Sequence, residues 1–182
     1  NYSAEIAQSL LLPQSQARHK NLEKLLATSI EFTPRRRNDV DTIILFANSQ
    51  QAKSIKPLLA YHYAATLPVY SSSHIHDGIE GNTNRDLNGI TFNEIPWVLA
   101  DNPIKNNIHE QYKNSKQLGR LFAMGLDAFY IYPHLPQMQQ ASSHVFFGKT
   151  GRLTIQKDRI NRELQLVQFK RGKIKILTPS IR

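Results

Sequence analysis

The stretch 39–97 constrains the fold more than any other part of the chain. Within it, Thr42-Ile43-Ile44-Leu45-Phe46-Ala47 is a short, nearly continuous apolar run, the pattern of a strand covered on both faces. Asn48-Ser49 follows as a helix start signal, and the spacing of Ala52, Ile55, Leu58, Leu59 and His62 carries a helix over 51–65. Leu67-Pro68-Val69-Tyr70-Ser71 supplies a second short strand. Together they predict a β-α-β unit with parallel strands and a right-handed crossover. Ligands of such sheets sit beyond the carboxyl ends of the strands. Those ends carry Asn48, Ser72, Ser73 and His74, the expected cleft residues.

At 182 residues the chain can bury roughly 70% of its unfolded surface, enough for a real core. Its 40% hydrophobic and 20% charged residues are those of a folded soluble protein. It has neither an 18-residue apolar run nor a basic-then-apolar leader. It opens at Asn1 without an initiating Met, as a piece of a longer protein would. The absence of cysteine removes disulfides, thiolate nucleophiles and Cys-based metal sites.

The net charge of +9 suits nucleic acid, an anionic membrane or an acidic partner. The positive residues are scattered, however, and only Arg35-Arg36-Arg37 and the segment 170–175 are dense. No RNP aromatic motif, zinc-finger spacing or basic heptad helix accompanies them, so the reading is a basic surface and not a nucleic-acid site. The arginine run falls in a loop. It is either solvated or docks a carboxylate- or phosphate-bearing partner.

Elsewhere, Ser15 is the expected N-cap of a helix to about Thr28, burying Leu22, Leu25 and Leu26. Residues 30–32 read as a short strand. From His74 to Asn88 the chain is polar and reads as a long loop. His74 and His76 are two apart, so on extended backbone they point the same way, half of a metal site without a third ligand. A strand is expected at 89–92, and extended backbone over 95–99 because Pro96 disfavours helix at its predecessor. Helices follow over 104–114 and 116–132. The second has a wide apolar stripe (Leu118, Leu121, Phe122, Leu126, Phe129, Tyr130) and is expected to be largely buried, with Gly119 and Gly125 marking close backbone packing. Asp127 on it faces either a ligand or an internal N–H or Arg. Residues 133–143 read as a Pro- and Gln-rich loop, and the remainder as β structure, including a hairpin turning at Arg171-Gly172.

Catalytic motifs are missing. There is no Gly-x-Ser-x-Gly elbow, no His-Glu-x-x-His and no dinucleotide fingerprint. Gly148-Lys149-Thr150 ends like a phosphate loop, but Ser143 stands where the first glycine is required and a strand follows instead of a helix. Asp39 and Asp41 flank the wrong end of the first strand for chemistry.

Several stretches resemble one family. They are Pro34-Arg35-Arg36-Arg37-Asn38-Asp39-Val40-Asp41, Ala52-Lys53-Ser54-Ile55-Lys56-Pro57-Leu58-Leu59, Leu67 through His74, Asp86-Leu87-Asn88-Gly89-Ile90-Thr91-Phe92, Ile95-Pro96-Trp97 and Gly148-Lys149-Thr150-Gly151. They are similar to the C-terminal domain of the penicillin-binding-protein activators, the LppC family of outer-membrane lipoproteins. The resemblance covers nearly the whole chain. It implies an α/β fold with the Rossmann-like lobes of a type I periplasmic binding protein, each a three-layer α/β/α arrangement. Residues 1–88 would belong to the second lobe, 89–143 would cross into the first, and 144–182 would return to the hinge and second lobe. The first lobe's opening strands, the helical N-terminal domain and the lipidated cysteine would lie outside the chain. The helix over 116–132 would pack on strands this chain lacks.

The function implied is a non-catalytic periplasmic regulator, with no cofactor or metal, that binds and activates a class A penicillin-binding protein. It would sit on the periplasmic side of the outer membrane and touch a membrane only through that lipid anchor. Arg35, Arg36 and Arg37 are the candidate partner-binding residues. The alternative is a periplasmic solute-binding module for a small polar ligand, such as an amino acid or cell-wall fragment, with the serines at 71–73 suited to a carboxylate.

Overall fold

The computed structural model describes residues 1–78, 81–112, 115–140, 144–157 and 159–177. Its main sheet has the order β1-β2-β3-β7-β8. β1 (Ile43–Leu45), β2 (Val69–Ser71) and β3 (Ile90–Glu94) are parallel, while β7 (Gln165–Lys170) and β8 (Lys173–Ile176) form an antiparallel hairpin on the β3 side. A second antiparallel sheet joins β4 (Val145–Phe147), β5 (Arg152–Gln156) and β6 (Arg159–Glu163).

The β-α-β unit forms as its residues require. Asn48 Oδ1 accepts from the Gln51 N–H at 2.9 Å and Gln51 Oε1 from the Asn48 N–H at 3.1 Å, a complete capping box that starts α3 (Ser49–Tyr61). Helix α3 then turns Ala52 and Leu59 onto the sheet, with Ile55 packed beside them. The main core consists of the inward row of the sheet (Leu45, Val69, Ile90, Phe92, Val167, Phe169) against α3 and the start of α2 (Leu12–Leu26), with α1 (Tyr2–Ser9) alongside.

The structure corrects the expectation that β1 is covered on both faces. Register puts Ile44, Tyr70, Thr91, Gln168 and Lys175 in one row on the other side of the sheet. There Ile44 is 66% and the following Phe46 83% exposed. An apolar run identifies the strand but not how many of its faces are packed.

Helix α2 begins at Leu12 with Pro13 in its first turn, so Ser15 lies inside it and not at its cap. Ser15 Oγ instead accepts the Arg35 N–H at 3.2 Å. Leu22, Leu25 and Leu26 are exposed, contrary to expectation, and the buried residues are Leu12 and Ser15. Residues 30–32 form no strand; the Phe32 ring stacks on His19 at 4.2 Å.

Pro96 opens a short helix, α4 (Pro96–Leu99), where extended chain was expected. Proline disfavours helix in the residue before it, and Ile95 is indeed extended, yet its own fixed φ suits a first helical position. α5 (Pro103–Gln111) and α6 (Ser115–Ile131) follow. Helix α6 is not largely buried: Leu118, Leu121, Met124, Phe129 and Tyr130 are exposed, and its covered side is built on Ala123 and Ile131. Gly119 lies against the Trp97 indole, whereas a Cβ at Gly125 would meet nothing within 4 Å among the described residues. The segment expected as a loop after residue 133 holds α7 (Leu135–Gln140), whose Met138 joins Ile131, Leu153 and Ile155 in a small second core. Residues 141–143 lie outside the described residues.

Candidate functional site at the carboxyl ends of the parallel strands

The four residues expected to line a cleft do lie beyond the carboxyl ends of β1 and β2, but their polar groups are engaged to different degrees. Asn48 is exposed and its side chain is committed to the α3 cap. Replacing it with Ala removes one half of the capping box and is expected to cost about 1 kcal/mol, a Tm lower by roughly 2–4 °C in a thermal melt. Ser71 Oγ donates to the Leu45 carbonyl at 2.7 Å, tying the two strand ends together. Ser72 precedes a 3-10 turn (Ser73–Ile75) without capping it, the Ser73 carbonyl accepts from Arg120, and His74 is exposed.

The turn also separates the two histidines that extended backbone would have aligned. His74 is exposed, while His76 is buried, its ring beside the stacked Phe92–Phe169 pair at centroid distances of about 6 Å from each. Among the described residues no group of three or more His, Asp or Glu has the arrangement of a metal site. A second 3-10 turn (Asn82–Leu87) breaks the expected long loop.

Sequence reasoning missed the centre of this site. Glu94, the last residue of β3, is fully buried, and its carboxylate collects four donors. Oε1 accepts from the Ile95 N–H at 3.0 Å and from Arg120 Nε at 3.2 Å; Oε2 accepts from Arg120 Nη2 at 2.5 Å and lies 3.2 Å from His76 Nδ1. Arg120 Nη2 also donates to the Ser73 and His76 carbonyls at 3.0 and 3.2 Å. Helix α6 is thereby fastened to the ends of β2 and β3 through a forked guanidinium–carboxylate pair. Burial pushes the Glu94 carboxyl up, but the hydrogen bonds from His76 and Arg120 and the guanidinium charge outweigh it and hold the group below its ordinary value. A carboxylate so stabilised is a poor proton acceptor, and the arrangement acts as a buried latch.

A second buried carboxylate works the same way. Asp127 on α6 accepts the Lys149 N–H at 2.6 Å, the Thr150 N–H at 2.7 Å and the Thr150 hydroxyl at 2.7 Å. The turn Gly148-Lys149-Thr150-Gly151 thus wraps a carboxylate of its own chain, and β5 follows it.

The three arginines differ from one another. Arg36 Nη1 donates to the Arg37 and Val40 carbonyls at 2.9 and 3.3 Å, and Arg37 grips Asp39 through two bonds of 2.6 Å. Hydrogen bonding to Arg37 lowers the Asp39 pKa to about 2. Arg35 is exposed, and its N–H donates to Ser15 Oγ.

The module is a mixed α/β fold with a parallel strand set, polar groups at its carboxyl ends and an internal ion-pair latch. Its family follows from its relatives. The LppC putative lipoprotein family model matches residues 1–172, and the chain belongs to that family. The penicillin-binding protein activator LpoA of Vibrio vulnificus is 35% identical over 149 residues, covering 79% of this chain and 24% of the relative. The corresponding Klebsiella pneumoniae protein is 33% identical over 140 residues, covering 74% of this chain and 20% of the relative. The chain therefore spans about a quarter of the curated relatives it matches.

Among solved structures, the LpoA C-domain of Haemophilus influenzae, described as a regulator of PBP1A, superposes with a TM-score of 0.68 at 19% identity. That match covers 90% of this chain and 57% of that one. A putative branched-chain amino acid ABC transporter from Chromobacterium violaceum gives 0.51 at 22% identity, over 85% and 54%.

Proposed function

We propose that the chain is part of a non-catalytic regulator that binds a class A penicillin-binding protein and favours its active conformation. Its place would be the periplasmic side of the outer membrane, through a lipid anchor outside this chain. The observation that carries this reading is membership of a family whose curated relatives are named penicillin-binding protein activators. The strand-end geometry supports it: the buried Glu94–Arg120–His76 cluster fills the place where a solute-binding module would present free polar groups. Within this reading, residues 1–88 belong to one lobe, 89–143 cross toward the other and 144–182 return. Of the arginine run, Arg35 is the residue left to reach a partner. Activation is then a population shift, which requires tighter binding to the active synthase state.

The test measures binding of the chain to the periplasmic region of its cognate class A synthase, with glycan polymerisation followed in the same samples. Binding with a faster rate is expected. A folded chain that neither binds nor accelerates would overturn the reading. A rise in Tm with free amino acids or peptidoglycan fragments would then favour solute binding at Asn48, Ser72, Ser73 and His74.

A further inference from the structure

The turn between β7 and β8 carries the dense cationic stretch Lys170-Arg171-Gly172-Lys173-Ile174-Lys175. Its geometry is more specific than its charge. Lys170 pairs directly across the hairpin with Lys173, and Lys175 with Gln168, so strand alternation puts the three lysines on one face of the sheet. All three and Arg171 are exposed, and none has an ion-pair partner among the described residues.

Two features of this hairpin work against its stability. Like charges directly opposed across strands are destabilising. Arg171 sits at φ 55, a left-handed conformation that costs energy for any residue but glycine. The tip is nonetheless held in place. The Gly172 N–H donates to Asn88 Oδ1 at 3.0 Å, the Gly81 N–H to the Gly172 carbonyl at 3.1 Å, and the Gly89 N–H to the Phe169 carbonyl at 2.9 Å. Arg85, from the same supporting segment, lies against Gly172 and adds a fifth cation. Positive charge without an ion-pair partner among the described residues, on a braced two-residue turn, is a preorganised arrangement that folding alone does not favour.

We propose that this hairpin is a steering site for an acidic protein surface, with Lys170, Arg171, Lys173 and Lys175 orienting the partner's carboxylates. A protein fits better than a bilayer because the row of the sheet that starts at Lys175 runs through Gln168, half-buried and donating to Thr91 Oγ1 at 3.2 Å, to the exposed Tyr70. Polar groups and an aromatic beside a charged rim are protein-interface chemistry. A membrane site would need a sizeable apolar anchor beside the cations; Leu166 stands on this face of β7 four residues before Lys170, whereas Ile176 lies on the opposite face and Ile44 and Phe46 lie across the sheet on the β1 side. Exposed charges contribute mainly to encounter rate and orientation, not to affinity. The signature is therefore kinetic. The partner's identity rests on the proposed function; the site's chemistry does not.

The experiment measures association of the chain with the periplasmic region of the class A synthase at low and physiological salt, for wild type and for K170Q/R171Q/K173Q/K175Q. Labelled poly-L-glutamate and anionic phosphatidylglycerol vesicles serve as separate probes. The expected result is an association rate lower by about tenfold at low salt, with a flatter salt dependence and a little-changed dissociation rate. The variant's Tm should be unchanged or slightly higher, since like-charge repulsion is removed. An unchanged association rate overturns the proposal, as does a defect confined to vesicles or a lowered Tm that accounts for the loss. If wild type binds poly-L-glutamate through these residues but not the synthase, the steering site stands and the synthase reading falls. If it binds neither, both fall.

Discussion

Replacing Arg120 with Met is expected to destabilise the protein by about 2–3 kcal/mol, a Tm lower by roughly 5–10 °C. The loss comes less from the missing bonds than from what remains: a fully buried Glu94 carboxylate whose remaining contacts among the described residues are the Ile95 N–H and His76 Nδ1. Breaking one side of a buried pair typically costs more, but the Arg120 side chain is 37% exposed, so solvent already screens part of its charge. The effect should depend on pH with a definite sign. The folded Glu94 pKa is depressed, so its contribution is present above the unfolded carboxylate value and is lost as pH falls through the folded one. In the variant, burial dominates and raises the Glu94 pKa, so protonating Glu94 relieves the strain. The stability gap between wild type and variant should therefore begin to narrow above the ordinary glutamate value of about 4.3 and go on narrowing as pH falls toward the depressed wild-type one. Denaturant titrations at neutral and acid pH measure it, and a gap that does not change with pH would show that Arg120 acts through packing alone. Adding Glu94→Gln to the variant should recover much of the neutral-pH loss, because the uncompensated charge is then gone.

Features legible in the sequence were those whose partners lie a few residues apart. The helix start at Asn48-Ser49 is sealed by Gln51 three residues on, and the Arg171-Gly172 turn is flanked by its own strands, so local chemistry specified the start and the turn. The latch was not legible in this way. Glu94 is 18 residues from His76 and 26 from Arg120, and no spacing rule links a strand end to a helix three elements later. A faint signal existed: a glutamate closing the apolar strand Ile90-Thr91-Phe92-Asn93, and an arginine inside a helix with a wide apolar stripe. The burial errors on α2 and α6 share one cause. Periodicity identifies an apolar face but says nothing about whether another element lies against it, and Leu25 at 80% exposure shows how large the difference can be. Rejection of the phosphate loop succeeded because it rested on a required position, Ser143, and not on overall likeness; the structure then supplied the carboxylate that the turn holds.

That turn yields the second large effect. Asp127→Ala removes the side-chain acceptor of the Lys149 and Thr150 N–H groups and of the Thr150 hydroxyl, leaving donors in a buried corner, and should cost about 3–4 kcal/mol. Gly148→Ala attacks the same contact from the other side. A Cβ there would overlap the Asp127 carboxylate, with its Oδ2 nearest and Cγ and Oδ1 at 2.7 and 2.8 Å. The carboxylate is pinned by three short bonds, so it cannot swing aside without breaking them, and a cost of about 2–3 kcal/mol is expected, in the range of overpacking a filled site. The two substitutions should not add. Once the carboxylate is gone the new methyl has room, so Gly148→Ala in the Asp127→Ala background should cost under about 1 kcal/mol. Urea titrations of the four proteins complete the cycle. Full additivity would mean that Gly148 is needed for its own backbone and not for the carboxylate it shelters, and the β4–β5 turn would then be held by something other than Asp127.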